Sequence, residues 1–426
     1  MRLLVPLALF ATPAAAQDAP DSARLRADVE TLVDFGTRHT ASSTTDPNRG
    51  IGAARRWAAE RLGQIGEACG ECITVANVAR TFTGPRAPGG VEVVDVLGFQ
   101  GGTDPGRVVI VAAHIDSING DVMDAAGDAP GANDNGSGTA LVLEAARILS
   151  RERFDATIVY ALLSGEEQGL WGGTLLADIA AERGWTVSAV LNNDIVGNSI
   201  GGNGAVRADT VRIFSEGIRS AEDSDAARAR RAIGGEDDGP SRALAKAIDG
   251  LADETGGLDA FLVRRPDRFG RGGDHEPFLA RGYPAVRFSV AAENYRGQHQ
   301  NVRSEDGTAY GDTSEKMDFA YLAKITALNV AAIRRFASAP AAPRTVTLEG
   351  ALAYDTRVAW TEVPGAARYR VRWRRADTQD WTDQRDVTGT QLTLPIVVDD
   401  HFIGVSALSA SGAESIVTFG ERAPRR

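Results

Sequence analysis

The run from Ala156 to Leu163 (Ala-Thr-Ile-Val-Tyr-Ala-Leu-Leu) carries no charge and stops at Ser164-Gly165-Glu166-Glu167. A strand that is apolar without alternation is buried on both faces, as in a parallel sheet covered by helices. Sheets of that kind bind ligands beyond the carboxyl ends of their strands. Two adjacent carboxylates at such a tip repel each other, although most Glu-Glu pairs are simply solvated surface. A cation holding one of them, with the other beside its bound water, gives the pair a reason to be there. The remaining strand tips decide between these readings.

The rest of the chain supplies that sheet and its cover. Helical periodicity runs over residues 21–35 and 52–65, where Ala54, Trp57, Ala58, Leu62 and Ile65 share a face. Strands are predicted over 91–99, 107–113, 187–192 and 285–290, and helices over 139–149 and 317–336. Residues 220–257 read as loops around one helix, with the acidic run Glu236-Asp237-Asp238 as a solvated face. Strands alternating with helices give an α/β fold, with a mostly parallel, mixed central sheet flanked by helices. After Ser338-Ala339-Pro340-Ala341-Ala342-Pro343 the pattern changes. Short strands over 345–348, 356–360, 369–374, 391–395 and 401–408 predict a small all-β sandwich at the C-terminus. The expected organisation is a leader over 1–16, an α/β unit over 17–337, a linker over 338–343 and a sandwich over 344–426.

Residues 1–16 open with Met1-Arg2, continue as an apolar segment and end in Ala14-Ala15-Ala16, the pattern of a secretory signal peptide. No other stretch approaches the roughly 20 apolar residues of a transmembrane segment. The expectation is a secreted or periplasmic protein. There Cys69 and Cys72, the two cysteines, read as a tight disulfide or a structural loop. A redox pair lacks the βαβ surroundings that such a site uses. The net charge of -11 argues against a nucleic-acid partner.

The chemistry lies in the histidines and carboxylates. His114 ends an apolar strand, and Asp116 follows where a carboxylate can hold the second ring nitrogen. The stretch Asn133-Asp134-Asn135-Gly136-Ser137-Gly138 places Asp134 in a glycine-bearing turn at the head of a helix. Asp194 follows another strand, and Gln298-His299 lies in a polar loop after a late one. Strand tips and the loops beyond them thus carry His114, Asp134, Glu167, Asp194 and His299, with Glu166 to spare. Imidazole and carboxylate are zinc donors. Paired ions about 3.5–4 Å apart need a bridging ligand, and this set fits two Zn2+ sharing one carboxylate.

In this order the motifs His114-x-Asp116, Asn133-Asp134-Asn135-x-Ser137-Gly138, Ser164-Gly165-Glu166-Glu167-x-Gly169, Asp194 and His299 resemble the M28 family of zinc aminopeptidases. Gly273-Asp274-His275-Glu276-Pro277-Phe278 and Gly282-x-Pro284-Ala285-Val286 are similar to another stretch of that family. The likeness covers residues 30–337. It implies that His114 and Asp194 hold one zinc, that Glu167 and His299 hold the other, and that Asp134 bridges them. It implies Glu166 as general base, with Asp116 behind His114. The implied substrates are peptides with a free N-terminus, cleaved at the first residue by a hydroxide between the ions. Many members carry Tyr just before the last ligand, where this chain has Gln298; Gln298 or Tyr295 is the candidate substitute. Arg268 and Arg271 are candidate substrate contacts, with surface arginines as the alternative. Asp274 and His275 read as groups behind the ligands or in the core. The C-terminal strands resemble a fibronectin type III module through Trp360, Tyr369-Arg370-Val371-Arg372-Trp373 and Phe402-Ile403-Gly404-Val405-Ser406-Ala407. Such modules space or bind, so the implied partner is a surface, a carbohydrate or a protein.

Other hydrolase signatures fail. Ser137 is no nucleophile elbow, because Asn135 stands where G-x-S-x-G needs glycine. His275-Glu276 is no H-E-x-x-H, because Leu279 takes the place of the second histidine. The alternatives to an aminopeptidase are a carboxypeptidase or glutaminyl cyclase on the same scaffold, or a non-catalytic binding protein.

Overall fold

The structure is a computed structural model and describes residues 19–423; the expected leader over 1–16 lies outside them. Eight strands form one sheet: β1 (Ile73–Gly84), β2 (Ala87–Gln100), β3 (Asp104–His114), β4 (Ala156–Leu163), β5 (Thr186–Asn193), β6 (Thr210–Phe214), β7 (Asp259–Val263) and β8 (Ala285–Val290). Their order is β1-β2-β4-β3-β5-β8-β6-β7. The centre, β4-β3-β5-β8, is parallel. Antiparallel pairings join β1, β2 and β4 on one side and β8 to β6 on the other. This is the mixed, centrally parallel sheet that the sequence predicts.

The unbroken apolar runs are explained by cover on both faces. Every residue of β4 is buried. In β3, Val109, Val111 and Ala113 enter one core, while Val108, Ile110 and Ala112 enter the other. The first core is closed by the helices Ser22–Asp34, Ile51–Ala68, Gly138–Leu149 and Phe319–Ser338, through side chains such as Leu25, Leu62, Leu141 and Leu322. The second is closed by Leu176, Ala177 and Ala180 of the helix Trp171–Glu182 and by Phe278 and Leu279. Each large side chain sealed in this way contributes about 1.5–3 kcal/mol. Cys69 and Cys72 form a disulfide just past the helix Ile51–Ala68.

Some elements depart from the sequence reading. Residues 220–257 hold two helices, Ser224–Arg231 and Pro240–Thr255, rather than one. The Asp223 side chain caps the first by accepting from the Asp225 and Ala226 N–H groups, and Pro240 opens the second. The acidic run is not a solvated face: Asp238 is buried and ion-paired with Lys246 and Arg374.

After a hairpin of β9 (Arg303–Glu305) and β10 (Thr308–Tyr310) come the helix Phe319–Ser338 and the C-terminal strands. These are β11 (Val346–Glu349), β12 (Thr356–Trp360), β13 (Arg368–Arg375), β14 (Asp383–Val387), β15 (Gln391–Leu394), β16 (His401–Leu408), β17 (Thr418–Phe419) and β18 (Glu421–Arg422). They make two sheets, β15-β12-β11-β18 and β14-β13-β16-β17, antiparallel except for β11 with β18. Val358, Trp360, Tyr369, Val371, Ile403 and Val405 form a core of their own. The unit packs firmly on the larger sheet's cover. Arg374 reaches Asp238, the Arg335 Nε donates to the Glu414 carbonyl, and Ile416 joins the first core.

Candidate metal centre

The parallel centre of the sheet brings the tips of β3, β4 and β5 level, since His114 pairs with Leu163 and Ala112 with Asn192. His114 ends β3, Glu166 and Glu167 follow β4 after the left-handed turn at Gly165, and Asp194 follows β5. Asp134 enters from the turn before the helix Gly138–Leu149. That helix abuts the tip of β5, where a side chain at Gly138 would meet the Asn193 carbonyl oxygen at 2.3 Å. His299 comes from the loop after β8 with φ 51°, a left-handed backbone rare for a residue other than glycine and typical of functional sites.

These side chains converge on Asp134. Its Oδ1 lies 3.1 Å from His114 Nε2, and its Oδ2 lies 3.2 Å from His299 Nε2. Asp194 Oδ2 is 3.8 Å from His114 Nε2, and Glu167 Oε1 is 3.0 Å from His299 Nε2. Two three-residue groups result, His114–Asp134–Asp194 and Asp134–Glu167–His299, with Asp134 common to both. Glu166 groups with His114 and Glu167. His114 Nε2 is buried and makes no hydrogen bond, an arrangement that a cation would resolve. Two imidazoles with carboxylates suit zinc.

The partners of these groups fix their aim. His114 Nδ1 donates to the Asp116 carbonyl at 3.1 Å and lies 3.5 Å from the Asp116 carboxylate. That leaves Nε2 to face the cluster. Asp116 also accepts from the N–H groups of Glu166 and Glu167 and from Thr40 Oγ1. Burial pushes the Glu166 carboxyl well above its ordinary range against the pull of His114, with Asp194 and Glu167 adding to the rise. Burial opposes protonation of His299, yet Glu167 and Asp134 raise it to about 11. A cation binding here displaces such protons.

The sequence profile of peptidase family M28 matches residues 95–319. A probable zinc metalloprotease of Leptosphaeria maculans is 40% identical over 92% of this chain and 93% of its own length. The chain belongs to peptidase family M28. Among solved structures, a leucine aminopeptidase precursor from Bacteroides thetaiotaomicron shares the fold, with a TM-score of 0.54 at 16% identity over 75% of this chain and 98% of that one. So does the glutaminyl cyclase of Porphyromonas gingivalis, with a TM-score of 0.51 at 17% identity over 74% and 98%.

The M28 site opens into a cavity of about 800 Å3. Tyr295, Gln298, Arg268 and Arg271 all line it. Tyr295 is exposed. The Gln298 carboxamide is engaged at both ends, its Nε2 donating to Glu293 Oε2 and its Oε1 accepting from Arg271 Nη1, each at 3.2 Å. Asp274 and His275 lie behind the cavity wall: Asp274 Oδ1 accepts the Gly173 N–H at 3.0 Å, and His275 Nε2 donates to the Pro266 carbonyl at 2.7 Å.

Sequence reasoning missed the residues that hold this M28 cluster from behind. Arg287, fully buried, lies 2.8 Å from Asp194 Oδ1, donates to the Asp194 carbonyl and binds both oxygens of Asp267. A charge inside the apolar run of β8 was the available signal. Asp312 and Arg38 gave none. Asp312 accepts from backbone at Asn133 and Asp134, while Arg38 donates to the Pro130 and Gly131 carbonyls just before that turn.

Proposed function

We propose that this chain is an exported zinc aminopeptidase that removes the N-terminal residue of peptides at a two-zinc centre. One observation carries the reading: Asp134 turns one oxygen toward His114 and the other toward His299, as a bridging carboxylate must. His114 and Asp194 would hold one ion, and Glu167 and His299 the other. Bound zinc supplies Lewis-acid polarisation of the scissile carbonyl and lowers the pKa of its water to about 7. Glu166 stands beside the cluster without pairing to an imidazole. It accepts the proton of the attacking water and returns it to the leaving amine. Asp116 keeps the His114 ring oriented and fixes the backbone of both glutamates.

Relatives named zinc metalloproteases, 40% identical over almost the full length, support zinc as the metal. The leader over 1–16 would take the protein out of the cytoplasm. Residues 17–337 are read as the catalytic unit. The C-terminal sheets over 344–426 are read as a fibronectin type III-like module that binds a surface, carbohydrate or protein.

The test is hydrolysis of Leu-, Arg- and Gln-terminal amides beside N-blocked controls, with and without chelator, and zinc stoichiometry on the same preparation. Cleavage that needs a free amine, and about two zinc per chain, is the expected result. Cleavage of blocked substrates, or cyclisation of the Gln substrate without release of Leu or Arg, overturns it.

A further inference from the structure

The cavity over the cluster has a basic wall. Arg86, Arg268 and Arg271 line it, whereas its larger aliphatic side chains are Ile118, Val122 and Leu170. The Arg268 side chain is 8% exposed, yet its Nη1 makes no hydrogen bond and stands 3.7 Å from Glu293 Oε2. Its Nε donates to Asp267 Oδ1 at 3.4 Å, a carboxylate it shares with Arg287, which binds both oxygens. Glu293 is similarly committed, with Oε1 on Arg212 and Oε2 on Gln298. Arg271 is exposed, and its Nη1 donates to Gln298 Oε1 at 3.2 Å, so the Gln298 amide aims it. Glu276, the further carboxylate of the described lining, forms no ion pair with either arginine among the described residues.

A guanidinium taken out of water with donors unfilled is costly. Its planar fork matches a carboxylate through two parallel bonds. We propose that Arg268 and Arg271 bind a carboxylate of the substrate, so that the enzyme favours substrates that present one to this wall, with Gln298 as the positioning residue for Arg271. The inference rests on the aminopeptidase reading above. The carboxylate has two sources: the side chain of an N-terminal Glu or Asp, or the free C-terminus of a short peptide.

Steady-state kinetics separate them. The probes are Glu-, Gln- and Leu-p-nitroanilide, which lack a C-terminal carboxylate, and Leu-Gly beside Leu-Gly-amide. A kcat/KM ratio of about tenfold or more for Glu over Gln assigns the side chain; the same ratio for Leu-Gly over its amide assigns the C-terminus. Arg271→Gln, at an exposed position, and Arg268→Gln should bring that ratio to within about twofold. Calorimetric titration with glutarate gives a readout apart from turnover, and it should weaken at least about fivefold in Arg271→Gln. Ratios near one in both arms with hydrolysis intact, or a ratio and glutarate binding that Arg271→Gln leaves unmoved, overturn this inference alone. No hydrolysis of any substrate in the panel overturns the aminopeptidase reading and this inference with it.

Discussion

Asp312 lies beneath the backbone of Asp134, its carboxylate accepting the Asp134 N–H at 2.6 Å and the Asn133 N–H at 3.0 Å. It acts on the backbone of the turn that carries Asp134, the residue facing both imidazoles. Asp312→Ala leaves two buried N–H groups without an acceptor, at about 1–3 kcal/mol each. The expected result is a loss of zinc affinity of about 10–100-fold, read by zinc titration. Turnover at saturating zinc should recover most of its rate.

Glu166 and Glu167 are neighbours in sequence with separate tasks. Glu166→Ala should lower kcat by about 100- to 10,000-fold while zinc content holds. Glu167→Ala should lose zinc, because its Oε1 is the group 3.0 Å from His299 Nε2. Metal analysis and kinetics on both variants check the division. Full activity in Glu166→Ala ends the proposed mechanism.

Asp238 and Arg374 are 3% and 2% exposed and join the C-terminal sheets to the larger unit. Asp238→Ala leaves a buried guanidinium without its carboxylate, which costs about 3–5 kcal/mol. Denaturant unfolding should show that loss. Removal of residues 344–426 should destabilise the remaining chain further, since Ile416 packs in the first core.

Asp249, half-buried in the helix Pro240–Thr255, is pushed up to about 6 by burial, with Asp253, Asp380 and Asp259 adding to the rise. In the unfolded chain the same carboxyl titrates near 3.9. The folded state therefore binds this proton more tightly, and the stability it gives is present below the unfolded value and lost as pH rises through about 6. Asp249→Asn should be more stable than the parent at pH 7.5 and lose that advantage at pH 4, as read from urea midpoints. Parallel midpoints at the two pH values count against the account.

The parallel centre was legible because β4 and most of β3 are apolar without alternation and β5 and β8 are mostly apolar around Ser188, Arg287 and Ser289, and each sequence-named donor follows such a run or the loop beyond it. Strand β1 was not, because its exposure alternates along Thr, Asn and Arg side chains and no continuous run announces it. β6 and β7 are five residues each, too short for periodicity to separate from loop. The supporting residues escaped for another reason. Arg287, Asp312 and Arg38 act through carbonyls and N–H groups of residues far along the chain, and sequence spacing carries no trace of such pairings. Asp238 looked solvated because the strand that covers it lies 136 residues later.

Five acidic side chains, Asp116, Asp134, Glu166, Glu167 and Asp194, gather at the tips of the central strands with His114 and His299, and all of these but Glu166 and His299 are buried. Their mutual repulsion bears on the tips of β3, β4 and β5 at once, so whatever neutralises them also clamps those strands together. A chelator should therefore behave toward this protein as a denaturant as well as an inhibitor, lowering its melting temperature before any substrate is added.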